Sequence, residues 1–277
     1  MTDLVSKTQY RDRRLPTEAV VPLLDVDQIG ISFGGLKAVQ QFSLRLPRTA
    51  LYGLIGPNGA GKTTVFNLLT GVYRPDCGRM RIGEQNLLGR KPHEITAAGI
   101  ARTFQNIRLF PNLSVLDNVR LAGQIRNTHG LADTLLRTPR YRLQEDLLYH
   151  KGMELLSIFD LQNRARALAN SLSYGHQRRL EIVRALATEP QVLLLDEPAA
   201  GLNPQEKRAL AQSIQEIRAR FQVAILLIEH DMSLVMDICE RIVVLDHGVT
   251  ICEGTPAMVQ NDSAVIAAYL GSSPTDN

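Results

Sequence analysis

No apolar run in the sequence is longer than seven residues, 264–270. A membrane-crossing helix needs roughly 20, so no such span is expected. The first residues also lack an apolar core. Asp3, Lys7, Arg11, Asp12, Arg13 and Arg14 interrupt them, which argues against a secretory signal peptide. Cysteine is scarce: Cys77, Cys239 and Cys252 are odd in number and scattered. That supports neither a disulfide framework nor a zinc cluster, and it fits a reducing cytosol. An excess of one charge is missing too, with 31 basic residues against 28 acidic and a net charge of +3. Such a balance gives no electrostatic argument for a nucleic-acid partner. Internal repeats and low-complexity tracts are not found.

What is present is an ordinary globular composition, 44% hydrophobic and 21% charged over 277 residues. It excludes collagen, a coiled-coil rod and a wholly disordered chain. The length suits one large domain or two lobes, enough to bury about 75% of the unfolded chain's surface. Residues 1–21 are polar and mixed in charge, and predict a flexible N-terminal extension. Residues 272–277 are a short tail.

Residues 23–29 and 40–46 partly alternate apolar and polar side chains, as half-buried strands do. A strand at 51–55 runs into a glycine-rich loop, and a helix over 62–70 stops at Gly71. The stretch 87–187 reads as mostly helical with loops, including a basic, proline-broken segment at 135–142. Beyond it, strand 192–195 precedes Asn203-Pro204-Gln205-Glu206, which predicts a capped helix start running to 220. Strand 223–228, a helix from Asp231 to 239, strand 241–245, a His247-Gly248 turn and strand 249–252 follow. All-apolar strands alternating with helices predict an α/β fold with a parallel sheet covered by helices.

Gly56-Pro57-Asn58-Gly59-Ala60-Gly61-Lys62-Thr63 matches G-x-x-x-x-G-K-[ST]. Glycines let consecutive N–H groups point into one concavity, and the following helix aims its positive end at the same place. Lys62 supplies a charge for the β- and γ-phosphates, and the Thr63 hydroxyl a Mg²⁺ ligand. Chance would place these four fixed positions in roughly 1% of chains of this length. The strand before and the helix after are the confirming context.

Val192-Leu193-Leu194-Leu195 ends in Asp196-Glu197. Ligands of open α/β sheets bind at the carboxyl ends of strands. Asp196 is therefore the candidate Mg²⁺ ligand through water, and Glu197 the candidate general base. A lone Asp-Glu pair reads as a solvated turn, but the phosphate loop requires an acidic partner. His230 follows the other apolar strand. On its own it reads either as structural or as a γ-phosphate contact.

Ser171-Leu172-Ser173-Tyr174-Gly175-His176-Gln177-Arg178-Arg179 precedes a helix upstream of the acidic strand. Here the chain resembles the ABC-type ATPase subunits, whose signature is L-S-G-G-Q. The resemblance spans about residues 23–271. It implies a P-loop NTPase (RecA-like) core with an antiparallel β subdomain, at 22–86 and 188–271. It also implies an inserted α-helical subdomain at approximately 87–187. It implies that Ser173, Tyr174, Gly175 and His176 face ATP held by a second ABC ATPase subunit, identical or not. Tyr174 and His176 depart from the consensus Gly and Gln. Gln105, in Arg102-Thr103-Phe104-Gln105-Asn106, resembles the Q-loop glutamine that contacts Mg²⁺ and the attacking water. Gly201, Leu202 and Asn203 stand at the D-loop, with Asn203 where Asp is usual. His230 matches the switch histidine. Phe33 resembles the aromatic that stacks on adenine, and Thr64 completes the nucleotide-binding loop.

Ile100-Ala101-Arg102-Thr103-Phe104-Gln105, then Leu109-Phe110, resemble the nucleotide-binding subunits of branched-chain amino acid importers. So do the Leu-x-Tyr-Gly form of the signature, the residues Asp196 to Pro204, Leu136-Arg137-Thr138-Pro139, and Leu227 to Met232. Urea and short-chain amide importers share much of this pattern; a lipopolysaccharide exporter ATPase is close in size and fold, but its resemblance would favour a different sequence around Gln105. The resemblance implies two transmembrane permease subunits as partners, and a periplasmic binding protein indirectly. It places the chain peripherally on the cytoplasmic face of the bacterial inner membrane. Apolar residues of 107–116 serve either a permease contact or packing of the helical lobe. A GTP switch would need N-K-x-D and a DNA-repair ATPase long heptad arms. A translation-associated relative would need two cassettes in one chain.

Overall fold

The computed structural model describes residues 21–126, 131–136 and 138–270. The expected extension up to residue 20, the tail at 272–277 and Arg137 lie outside the described residues. Strands are β1 (Leu24–Phe33), β2 (Leu36–Leu46) and β3 (Leu51–Ile55), and helix α1 is Lys62–Leu69. Then come β4 (Cys77–Ile82), β5 (Gln85–Asn86), α2 (Pro92–Ala98) and β6 (Ile100–Arg102). Helices α3 (Val115–Gly123), α4 (Leu131–Leu136), α5 (Pro139–Ile158) and α6 (Tyr174–Leu186) form the inserted part. Strand β7 (Val192–Asp196), α7 (Pro204–Phe221), β8 (Ala224–Ile228) and α8 (Met232–Ile238) follow. The described chain closes with β9 (Arg241–Asp246), β10 (Val249–Gly254), α9 (Pro256–Gln260) and α10 (Ser263–Leu270).

Two sheets result. One is antiparallel, in the order β2-β1-β4-β5, and the other runs β10-β9-β3-β8-β7-β6. From β9 to β6 every pairing in the second sheet is parallel, and β10 closes its edge antiparallel. Side-chain alternation divides the core between the two faces. Leu193, Leu195, Ile225 and Leu227 pack with the helical layer. Leu194, Leu226 and Val243 pack with α1 and the antiparallel sheet. Both faces are covered, which is why these strands are apolar at every position.

The inserted part is shorter than the 87–187 stretch expected to be helical. Residues 100–102 form β6, which pairs in parallel with β7 and so belongs to the core sheet. Three residues are too few to show a period of two, so its neighbouring helices hide it in the sequence. The expected proline break at 135–142 falls between α4 and α5. Pro139 begins α5, whose N-cap is Thr138, a position where its missing N–H costs nothing.

Three loops meet at the carboxyl end of the parallel sheet. They follow β3, β7 and β8, and β8 lies between the other two strands. The glycine-rich loop, Asp196-Glu197 and His230 are thereby brought together.

Candidate nucleotide site

The loop after β3 takes a shape that side chains would forbid. Gly56 has φ of 150°, and a Cβ there would sit 2.0 Å from the Leu245 carbonyl oxygen. Gly61 has φ of 102°, and its Cβ would meet the Ala38 oxygen at 2.7 Å. Gly61 is also the N-cap of α1, so no side chain blocks that helix end, and the first turn carries no acid. An uncapped positive end of this kind suits an anion. Lys62 is buried and donates from Nζ to the carbonyls of Gly56 at 2.6 Å and Pro57 at 2.9 Å. Burial lowers its pKa, and the charges of Glu197 and Asp196 partly oppose that.

A polar cleft of about 280 Å³ opens over this loop, lined by residues 58–64 with Gln105, Glu197 and His230. A larger groove of about 580 Å³ lies between α8, α9 and α10, but no charged side chain lines it. The smaller cleft, with Lys62 and the glycine-rich loop in its lining, is the candidate for phosphate chemistry.

Glu197 is the centre of the cleft. Gln105 Nε2 donates to its Oε2 at 2.9 Å, and His230 Nε2 donates to its Oε1 at 2.7 Å. Glu197 has φ of 49°, a left-handed conformation that costs of order 1–3 kcal/mol in a non-glycine residue. Its N–H donates to the Ile228 carbonyl, which holds the strained residue against the end of β8. The histidine thus sits on the candidate base, in contact with the reacting end of the cleft.

Asp196 is one residue back and buried. Arg102 Nη2 donates to Asp196 Oδ2 at 2.6 Å, and the two side chains are only 6% and 3% exposed. Arg102 Nη1 also donates to Asn67 Oδ1 at 2.6 Å, and its guanidinium lies over the rings of Phe66 and Phe104. Thr103 Oγ1 accepts from the Asp196 N–H at 3.2 Å. Behind Glu197, the buried Glu229 accepts from the N–H of Ala199 at 2.6 Å and of His230 at 3.2 Å. Burial raises the Glu229 pKa, against the pull of those N–H groups. Arg102 and Glu229 are functional neighbours that sequence reasoning missed. Their only signal is a charged residue at the end of a short apolar strand.

The signature residues, the D-loop residues and Phe33 lie apart from the cleft lining. Ser173 is the N-cap of α6, and Tyr174, Gly175 and His176 form its first turn. The Ser173 side chain does not cap the helix; its Oγ lies 2.8 Å from His176 Nδ1. Burial, then Arg164 and Arg179, lower the His176 pKa, which favours a neutral ring able to accept that hydroxyl proton. No Ser173 side-chain bond therefore caps the first turn of α6. Gly201 has φ of 75° in the loop before α7, and Leu202 packs against the helical core. Asn203 accepts from the N–H of Gln205 and Glu206 at 3.0 Å, and Glu206 accepts in return from the Asn203 N–H. Asn serves this capping box as well as Asp does. Phe33 stands at the end of β1 as an exposed ring, edge-on to Tyr73 with centroids 5.2 Å apart.

The sequence of residues 39–200 matches the family model for ABC transporters. The chain belongs to the ABC transporter family. As an ABC cassette it is an ATPase, and the cleft after β3 is its candidate nucleotide site. Residues 249–274 match a second model, the branched-chain amino acid ATP-binding cassette transporter. The cassette is 45% identical over 250 residues to the high-affinity branched-chain amino acid transport ATP-binding protein LivG of Escherichia coli (strain K12). That match covers 90% of this chain and 98% of LivG. Identity to the lipopolysaccharide export system ATP-binding protein LptB of Haemophilus influenzae is 33%, over 90% of this chain and 97% of LptB. In fold, the cassette matches the crystal structure of the ADP conformation of MJ1267, an ATP-binding cassette of an ABC transporter. The TM-score is 0.78 at 29% identity, covering 90% of this chain and 99% of MJ1267.

Proposed function

We propose that this cassette binds and hydrolyses ATP in a two-cassette dimer that powers import of branched-chain or related hydrophobic amino acids. The observation that carries the ATPase chemistry is Glu197, fixed by Gln105 and His230 in the phosphate cleft. Residues 56–64 cradle the phosphates. Thr63, Gln105 and Asp196 fit a Mg²⁺ site of hydroxyl, amide and carboxylate oxygens, the hard donors that this ion prefers. Among the described residues no group of three His, Cys, Asp or Glu is poised for a metal, and the phosphates would complete the donor set. When bound, Mg²⁺ neutralises charge on the β- and γ-phosphates.

Glu197 takes the proton of the attacking water, and Gln105 and His230 keep its two oxygens aimed. Lys62 balances charge on the transferred phosphoryl group. Ser173 and Gly175 close the second cassette's nucleotide, with the first-turn N–H groups of α6 aimed at its phosphate. The amino acid itself meets only the permease and its binding protein. No helix among the described residues is long and apolar enough to cross a membrane, so two permease subunits would carry the pathway, with the cassette on their cytoplasmic side. Exposed Phe110 and Leu113 support a permease contact next to the Gln105 loop.

The substrate reading rests on the LivG identity and the match at residues 249–274. Co-purification of the permease subunits, then ATP-driven uptake in proteoliposomes, tests it. Leucine, isoleucine or valine should accumulate with the matching binding protein. Uptake of urea or short amides instead would reassign the substrate.

A further inference from the structure

One face of α6 carries a ladder of charges that reads the backbone of the Gln105 loop. Arg178 Nη1 donates to the Phe104 carbonyl at 2.8 Å, and its Nη2 donates to the Gln105 carbonyl. Glu181 Oε1 accepts from the N–H groups of Phe104 and Arg108, both at 3.3 Å. Arg184 donates to the Arg108 carbonyl. Arg178 and Glu181 lie 3.5 Å apart and are 5% and 1% exposed, so charges are committed to a place where water cannot help them. Buried charges of this kind persist only when paired and hydrogen-bonded.

Tyr174 seats the ladder's first rung. Its hydroxyl accepts from Arg178 Nε at 3.1 Å and from Nη2 at 2.9 Å, and the guanidinium also lies over its ring. The ring edge rests on Gly201, where a Cβ would come within 3.1 Å of Tyr174 Cε1. Tyr174 therefore touches the loop before α7 as well as Arg178. From Arg178 the contacts continue through the Gln105 backbone to the Gln105 amide, then to Glu197 and His230.

We propose that Arg178, seated by Tyr174 and Glu181, is a positioning residue that couples the first turn of α6 to Gln105. It thereby links the nucleotide this cassette closes on its partner to the nucleotide it hydrolyses itself. The proposal rests on the dimeric ATPase reading above. A fork-shaped guanidinium is needed, because one donor group must reach two successive carbonyls while staying on the tyrosine hydroxyl. Tyr174→Phe removes only the hydroxyl of a half-exposed ring. Arg178→Lys keeps the charge beside Glu181 but not the fork.

The test uses the assembled transporter. Amide exchange read by mass spectrometry over residues 103–110 should speed up by about tenfold in Tyr174→Phe. Exchange over residues 56–64 should stay at the parental rate. The kcat for ATP should fall at least about threefold with KM within about twofold, the pattern of a lost transition-state arrangement. Adding Tyr174→Phe to Gln105→Ala should lower kcat no further than Gln105→Ala alone, because coupled residues are not additive. Arg178→Lys should repeat the pattern. Unchanged exchange at 103–110, an unchanged kcat, or additive losses in the double variant would each overturn the coupling. A parental complex without ATP turnover would overturn the functional reading instead, and the exchange arm would still decide whether Tyr174 and Arg178 grip the loop.

Discussion

Replacing Arg102 by Met isolates the buried pair behind the cleft. The substitution removes the guanidinium that donates to Asp196 and Asn67 and leaves the Asp196 carboxylate buried without its ion-pair partner. Two unit charges about 4 Å apart attract by ~4 kcal/mol at an effective dielectric near 20. Breaking one side of a buried pair costs about 3–5 kcal/mol. Loss of the contacts with Phe66 and Phe104 adds to this. For a domain of this size each kcal/mol lowers the melting temperature by roughly 2–4 °C, so a fall of roughly 6–20 °C is expected. Thermal unfolding should be followed by circular dichroism without nucleotide and in a chelator, so that no cation replaces the guanidinium. Arg102→Met with Asp196→Asn removes both charges and should recover more than half of the loss. A fall under about 2 °C, or a double variant less stable than Arg102→Met, would refute the reasoning.

Three further outcomes are expected. Ser173→Glu places a carboxylate where the partner's phosphate should sit, so ATP-driven dimerisation should be lost in the Glu197→Gln background; an ATP-induced shift to the dimer's elution volume would count against the shared site. Hydrogen bonds from Lys207 and Ser233 pull the Asp231 pKa from 3.8 to about 2. Its contribution is therefore present above the ordinary value and disappears as pH falls through the lowered one. Asp231→Asn keeps the N-cap of α8, so urea unfolding should show a loss of under about 1 kcal/mol near pH 6 and a smaller one near pH 2. Finally, Gly56→Ala should abolish nucleotide binding or folding, because its Cβ collides with a backbone oxygen; binding at parental affinity would show that the loop relaxes.

The phosphate loop, the acidic strand end and the capped helix at Asn203 were legible because their physics is local. A few neighbouring residues set the turn, the cap or the strand end. Gln105 and the signature became legible through resemblance, and the structure shows why periodicity alone would not find them. Gln105 reaches Glu197 across 92 residues of sequence. Arg102, Glu181 and Glu229 were illegible for a similar reason. Their side chains are buried by partners 94, 77 and 30 residues away, and nothing in the adjacent sequence marks a charge as internal. The three-residue β6 was hidden by its length. Tyr174 read as a departure from a consensus glycine, and its hydroxyl acquires a role only once Arg178 is seen on it.

ATP turnover by the assembled transporter carrying Glu197→Gln tests the central claim most directly. Glu197 as general base predicts that ATP still binds with parental affinity while turnover falls at least about a hundredfold and uptake stops. Hydrolysis at the parental rate would contradict the account, because the residue that Gln105 and His230 hold in place would then not be the base.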